Sequence, residues 1–159
     1  MNIYSNSTRT LAGEATSLSR FAGQVTLIVN VASECGYTPQ YAGLERLQQR
    51  FRGRGFSVLG FPSNDFGGQE PGTPEQIQSF CTSRYNVSFP LFEKVVTKPG
   101  PEQSAVYSAL GEAAGASPKW NFGKYLIGRN GKVIDFYPSS VDPEDPKLIA
   151  AIESALAAQ

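Results

Sequence analysis

The residues best suited to redox or nucleophilic chemistry are two cysteines, Cys35 and Cys81. Little else competes with them. The chain contains no histidine, which removes the commonest general base, the commonest metal ligand and any Ser/His/Asp triad. Two cysteines without histidine do not complete a structural zinc site, so thiol chemistry is expected, with no metal and no other cofactor. Cys35 follows an apolar run that ends at Ala32 and precedes Thr38, which reads as a helix cap. A strand-to-helix turn of this kind places a thiol beside free N–H groups and positive partial charge, which favour thiolate. Gly36 permits a tight backbone there, while Glu34 opposes the thiolate. The competing reading of Cys35 is a small buried hydrophobe, as most free cysteines are. Cys81 shares the apolar face of a helix with Ile77 and Phe80. It is either a core cysteine or a resolving thiol that condenses with an oxidised Cys35. A disulfide needs the two Cα atoms within about 7 Å, so resolution requires the helix end around Cys81 to unwind. Thr82, Asn86 and Val87 are weak helix formers there. Trp120, the only tryptophan, and Gln69, in a glycine-rich loop, read singly as an anchor and a solvated amide.

These residues need a scaffold, and the patterning supplies one. The 159 residues suffice for a single domain spanning 1–159, without repeats or linkers to divide it. Val25 to Ala32 is β-branched and almost continuously apolar, as in a central strand buried on both faces. Thr38 and Pro39 open a helix whose face is Tyr41, Leu44, Leu47 and Phe51, and Gly53 and Gly55 end it. A second apolar run, Phe56 to Phe61, completes a βαβ unit with parallel strands and a right-handed crossover. After a loop from Asn64 to Gly72, Thr73-Pro74-Glu75-Gln76 reads as a capping box opening a helix to about Arg84. Phe89 to Phe92 reads as a short extended piece and Glu102 to Ala113 as a helix. Asn130-Gly131 marks a hairpin between Tyr125–Ile127 and Val133–Phe136, and Asp145-Pro146 starts a last helix. The expected architecture is α/β, with three layers.

Charge and hydropathy exclude several roles. Fourteen basic side chains balance fourteen acidic ones, against the basic excess of a nucleic-acid binder. The N-terminus lacks a basic segment followed by an apolar one, and the longest apolar run is far too short for a membrane span. Two cysteines are too few for a disulfide framework at this length, so a cytoplasmic location is expected.

Three segments, taken together, resemble the signatures of the glutathione peroxidase family. They are Val29-Asn30-Val31-Ala32-Ser33-Glu34-Cys35-Gly36-Tyr37-Thr38, Gly60-Phe61-Pro62-Ser63-Asn64-Asp65-Phe66-Gly67-Gly68-Gln69-Glu70-Pro71-Gly72 and Trp120-Asn121-Phe122-Gly123-Lys124-Tyr125-Leu126. The similarity runs in order over nearly the whole chain. It implies a thioredoxin fold, with a central mixed β-sheet between helical layers and an N-terminal extension. It also implies a catalytic tetrad of Cys35, Gln69, Trp120 and Asn121. The cysteine nucleophile resembles the bacterial, plant and yeast branch, in which Cys81 aligns with the resolving cysteine. A Cys35–Cys81 disulfide reduced by thioredoxin is therefore implied by the resemblance. Ser63 stands where some members have a further cysteine, and the stretch from Gly111 to Lys119 lacks the insertion that builds tetramers, which implies a monomer.

Two positions depart from the family pattern: Asp65 replaces a usual glutamine, and Phe136 a frequent arginine. With fewer positive groups at the rim, anionic glutathione is the less attractive reductant. The expected function is reduction of hydrogen peroxide and organic hydroperoxides through a sulfenic acid at Cys35, an antioxidant role in oxidative stress. The alternatives are direct reduction by glutathione, or a peroxide sensor that passes its disulfide to a partner protein.

Overall fold

The computed structural model describes residues 2–158; Met1 and Gln159, the two ends of the expected 1–159 domain and, at Met1, of the N-terminus read above, lie outside them. The N-terminal extension forms a small antiparallel pair, β1 (Ser7–Arg9) with β2 (Ala15–Ser17), between 3₁₀ turns at Ile3–Ser5 and Leu18–Phe21. Patterning gave no sign of these strands, because three residues each, polar but for Ala15, carry no hydrophobic period.

The main sheet begins with β3 (Val25–Val31), buried along its whole length. Chain order continues through α1 (Gln40–Phe51), β4 (Phe56–Pro62), α2 (Pro74–Tyr85), α3 (Ala105–Ala114), β5 (Lys124–Ile127), β6 (Val133–Tyr137) and α4 (Pro146–Ala157). The four strands lie in the order β4-β3-β5-β6. β3 and β4 are parallel from Val25↔Phe56 to Val31↔Pro62, while β5 runs antiparallel to both β3 and β6. The sheet is mixed, as expected. Its two faces carry separate cores. On one, Val25, Leu27, Val29 and Val31 meet Leu44, Leu47 and Phe51 of α1, Ile77 and Cys81 of α2, and Leu148, Ile152 and Leu156 of α4. On the other, Ile28, Leu59 and Ile127 meet Val106, Tyr107 and Leu110 of α3 and the 3₁₀ residues Ile3, Leu18 and Phe21. Each large aliphatic side chain removed from water there is worth about 1.5–3 kcal/mol, which makes β3, apolar on both faces, the natural centre of the domain.

Two boundaries differ from the patterning. α1 starts at Gln40 with Pro39 in the cap position and no side-chain cap, because the Thr38 hydroxyl is engaged elsewhere. α3 starts at Ala105 rather than Glu102, since the Ser104 hydroxyl accepts from Tyr107 N–H and sets the cap there. The capping box at Thr73 and Gln76 and the Asp145 cap of α4 form as read.

Candidate active site

The parallel strands β3 and β4 end side by side, and their carboxyl ends release the two loops that carry Cys35 and Gln69. In a parallel sheet this is the edge at which reactive groups are presented. Thr38 shapes the first loop. Its hydroxyl donates to Ala32 O at 2.8 Å and accepts from Cys35 N–H at 2.9 Å, bending the chain back on the strand end. Cys35 is thereby held at 8% exposure, and Tyr37 N–H donates to its sulfur at 3.3 Å. Among the described residues this is the sulfur's one hydrogen bond. The expected donation from the α1 terminus is thus supplied one turn earlier, by the backbone of the loop.

The second loop turns on Gly67 and Gly68, both left-handed, with φ of 69° and 61°. A Cβ on Gly67 would stand 3.1 Å from the Trp120 ring, so glycine serves both the turn and the close approach. Gln69 follows at once. Its carbonyl accepts from Glu34 N–H at 3.0 Å, tying it to the residue before Cys35, and its Oε1 accepts from Asn121 Nδ2 at 3.0 Å. Glu70 is buried at 1% exposure, where one carboxylate oxygen accepts from Ser33 N–H at 3.1 Å. Burial holds its carboxyl above the usual carboxylate range.

The third segment arrives from before β5. Asn30, which interrupts the apolar run of β3, donates through Nδ2 to Trp120 O at 3.0 Å and accepts Phe122 N–H at its carbonyl at 2.6 Å. Phe122 itself is left-handed, with φ of 66°. Asn121 is fully buried, whereas Trp120 is 37% exposed and its ring packs against Phe66 at 5.8 Å between ring centres. Cys35, Gln69, Trp120 and Asn121, far apart in sequence, thus lie on three adjoining loops cross-linked by hydrogen bonds. Asn30 and Thr38 hold those loops. Sequence reasoning missed both, although an asparagine inside a β-branched apolar run was the signal for the first.

Cys81 stands elsewhere. It is fully buried in α2, in the core shared with Tyr41 of α1, and both cysteines are free. Burial pushes its thiol up to about 11, against the opposing influence of the Tyr41 hydroxyl beside it; the Glu70 carboxylate pushes in the same upward direction. Its carbonyl accepts from Val87 N–H at 3.1 Å, so it lies within the final turn of the helix, which closes on a left-handed Asn86 with φ of 52°. The two departures are structural. Asp65 accepts from Thr97 N–H at 2.6 Å and Thr97 Oγ1 at 2.8 Å, and the Phe136 ring packs on Tyr125 at 4.8 Å. Ser63 is buried, and its hydroxyl oxygen accepts from Asp65 N–H. No group of three or more histidine, cysteine or acidic residues converges on a metal position among the described residues. No helix among them is long and apolar enough to cross a membrane.

The family model of glutathione peroxidase matches residues 3–111. A hydroperoxy fatty acid reductase of Synechocystis is 47% identical, covering 97% of this chain and 95% of its own length. A thioredoxin/glutathione peroxidase of Escherichia coli is 43% identical over 91% of this chain and 92% of its own. Among solved structures, the crystal structure of Trgpx in apo form superposes with a TM-score of 0.80 at 32% identity, covering 98% and 96% of the two chains. A thioredoxin-family thiol:disulfide interchange protein of Chlorobium tepidum superposes with a TM-score of 0.71 at 16% identity, over 96% and 93%. The fold is a thioredoxin fold.

Proposed function

The chain belongs to the glutathione peroxidase family and is a thiol peroxidase, and on that premise we propose that Cys35 attacks the hydroperoxide and Cys81 resolves the product. The Cys35 thiolate attacks the terminal peroxide oxygen and breaks the O–O bond. Sulfur becomes a sulfenic acid, and the alkoxide takes a proton to leave as alcohol, or as water from hydrogen peroxide. Gln69, Trp120 and Asn121 supply neutral N–H donors to the thiolate and to the oxyanion that develops as the bond breaks. Such donors, fixed in advance at a dry site, are worth about 3–4 kcal/mol each. The observation that carries this reading is Gln69, bonded through its backbone to Glu34 and through its amide to Asn121, which fastens the donors to the Cys35 loop.

Cys81 then attacks the sulfenic sulfur. A Cys35–Cys81 disulfide forms and water leaves. Thioredoxin returns both thiols by exchange, becoming oxidised itself. A chain without net charge, with little to attract anionic glutathione, supports a dithiol protein as reductant, and the reading is of a monomeric single domain acting in the cytoplasm. Organic hydroperoxides are substrates beside hydrogen peroxide, because a cleft of about 980 Å³ opens between Tyr37, Trp120, Phe136 and Pro138. Glutathione is the second reading, since the Escherichia coli relative carries both reductants in its name. Peroxide consumption with thioredoxin and glutathione, run separately on wild type, Cys35→Ser and Cys81→Ser, decides. The expected pattern is turnover with thioredoxin that either substitution abolishes, with Cys81→Ser still delivering one oxidation equivalent. Turnover of Cys81→Ser with thioredoxin at the wild-type rate would sink the resolving role.

A further inference from the structure

One buried charge has no part in the chemistry above. Lys124, the first residue of β5, is fully buried, and its Nζ donates to Phe122 O at 2.7 Å. No carboxylate pairs with it: the two ion pairs among the described residues are Arg46–Glu144 and Arg54–Glu153. Its neighbours across the sheet are Val29 and Tyr137. An amine in such a position is costly, so its retention asks for a reason. The reason lies in the turn it touches. Phe122 is the one bulky aromatic residue in a left-handed conformation among the described residues, and such strain at a non-glycine persists only where the surroundings hold it. The turn is held at Trp120 O by Asn30 Nδ2, at Phe122 N–H by Asn30 O, at Gly123 O by Asn30 N–H and at Phe122 O by Lys124. Three of these four bonds come from one strand residue. The fourth is the only one with a charged donor, and charged donors make bonds roughly twice as strong as neutral ones.

We propose that Lys124 is a positioning residue: its amino group fixes the Phe122 turn and so aims Trp120 and Asn121, which immediately precede it, at Cys35. This rests on the reading that those two side chains serve the thiol. Lys124 touches no substrate. Burial lowers its pKa to about 7, with Asp142 opposing, so the clamp changes strength near neutrality. The other titratable groups around the turn are separable. Tyr41 meets the Phe122 ring from α1 and Tyr137 faces Lys124 from β6; burial raises both tyrosines further from neutrality. Glu70 sits beside Gln69, and Cys35 is the thiol itself.

Lys124→Met tests the proposal, because it keeps the chain length and removes the desolvated amine, whose burial cost offsets the lost bond to Phe122 O. Stopped-flow oxidation of Cys35 by hydrogen peroxide is expected to slow about tenfold or more, and emission from Trp120, the only tryptophan, to shift, with no fall in melting temperature. A second measurement begins with Lys124 in place. In Cys35→Ser protein, Trp120 emission is expected to follow a single transition at pH about 7. That transition should vanish when Lys124→Met is added. An unchanged oxidation rate and emission in Lys124→Met, or flat emission through pH about 7 in Cys35→Ser, would overturn the proposal. So would a transition that survives in the double variant, which would belong to another group. The two readings fail differently. If Trp120→Phe and Asn121→Ala keep the wild-type oxidation rate, the donor assignment is wrong; if they lose it and Lys124→Met does not, only the clamp is.

Discussion

Asn121 does two things with one amide: it donates to Gln69 Oε1 at 3.0 Å and, at 3.4 Å, to Phe66 O, and its own Oδ1 is buried without a partner. Asn121→Ala removes a donor and frees Gln69 to turn away. The rate constant for peroxide oxidation of Cys35 should fall about a hundredfold, read by stopped flow, while reduction of a preformed disulfide by thioredoxin should be nearly unaffected. None of the three donors titrates near neutrality, so they cannot impose a bell on the pH profile of oxidation. Legibility at this scale was uneven. Cys35 could be suspected from its place after a buried run, but Gln69, Trp120 and Asn121 taken singly were an exposed amide, an anchor and one polar residue among many. Only resemblance grouped them, because their partnership is made by loops from different parts of the chain. Lys124 was invisible for a related reason: a lysine in a short run between glycine and tyrosine shows nothing of its burial.

At the scale of elements, resolution is a problem of opening α2. Cys81 is fully buried, with its thiol pushed up to about 11, so in the closed helix it is a protonated and shielded nucleophile. The last turn, closed on left-handed Asn86, controls how readily the helix frays. Asn86→Ala costs about 1 kcal/mol in that conformation, and Asn86→Gly relieves it. With opening rate-limiting, Asn86→Ala should speed disulfide formation severalfold and Asn86→Gly slow it, as followed by thiol titration after one equivalent of peroxide. Equal rates in both would place the slow step elsewhere. Most of the elements could be read from periodicity and caps: the β-branched run gave β3, the Thr73 capping box gave α2 and Asp145-Pro146 gave α4. The start of α1 was misread because Thr38, a good cap by type, uses its hydroxyl to bend the Cys35 loop. The β1–β2 pair was unreadable because its strands are short and polar, and pairing between them is specified by neighbours rather than by a period.

For the molecule as a whole, buried titratable groups make stability depend on pH in a stated direction. Lys124 has an ordinary value of 10.5 and a folded one of about 7, so above pH 7 the unfolded chain binds the extra proton and stability rises with pH. Cys81 acts oppositely: its thiol moves from 9.0 to about 11, and from pH 9 upward the unfolded chain loses a proton that the folded one keeps. Reduced protein should therefore gain stability in urea melts between pH about 7 and 9 and stop gaining above it. Lys124→Met should flatten the rise, and Cys81→Ser should extend it to higher pH. The absence of histidine leaves no ordinary imidazole to confuse this window. Three layers around an apolar strand make the scaffold rigid enough to carry a strained turn and a buried amine on one side, and a helix end that must open on the other.

The claim on which the rest depends is that an oxidised Cys35 is resolved by Cys81 within the same chain. Peptide mapping of wild-type protein after one equivalent of hydrogen peroxide, under non-reducing conditions, tests it most directly. A single linked pair containing Cys35 and Cys81 is expected, with the intact chain lighter by two hydrogens and no dimer. A stable sulfenic acid at Cys35 beside a free Cys81, or a disulfide joining two chains, would contradict it.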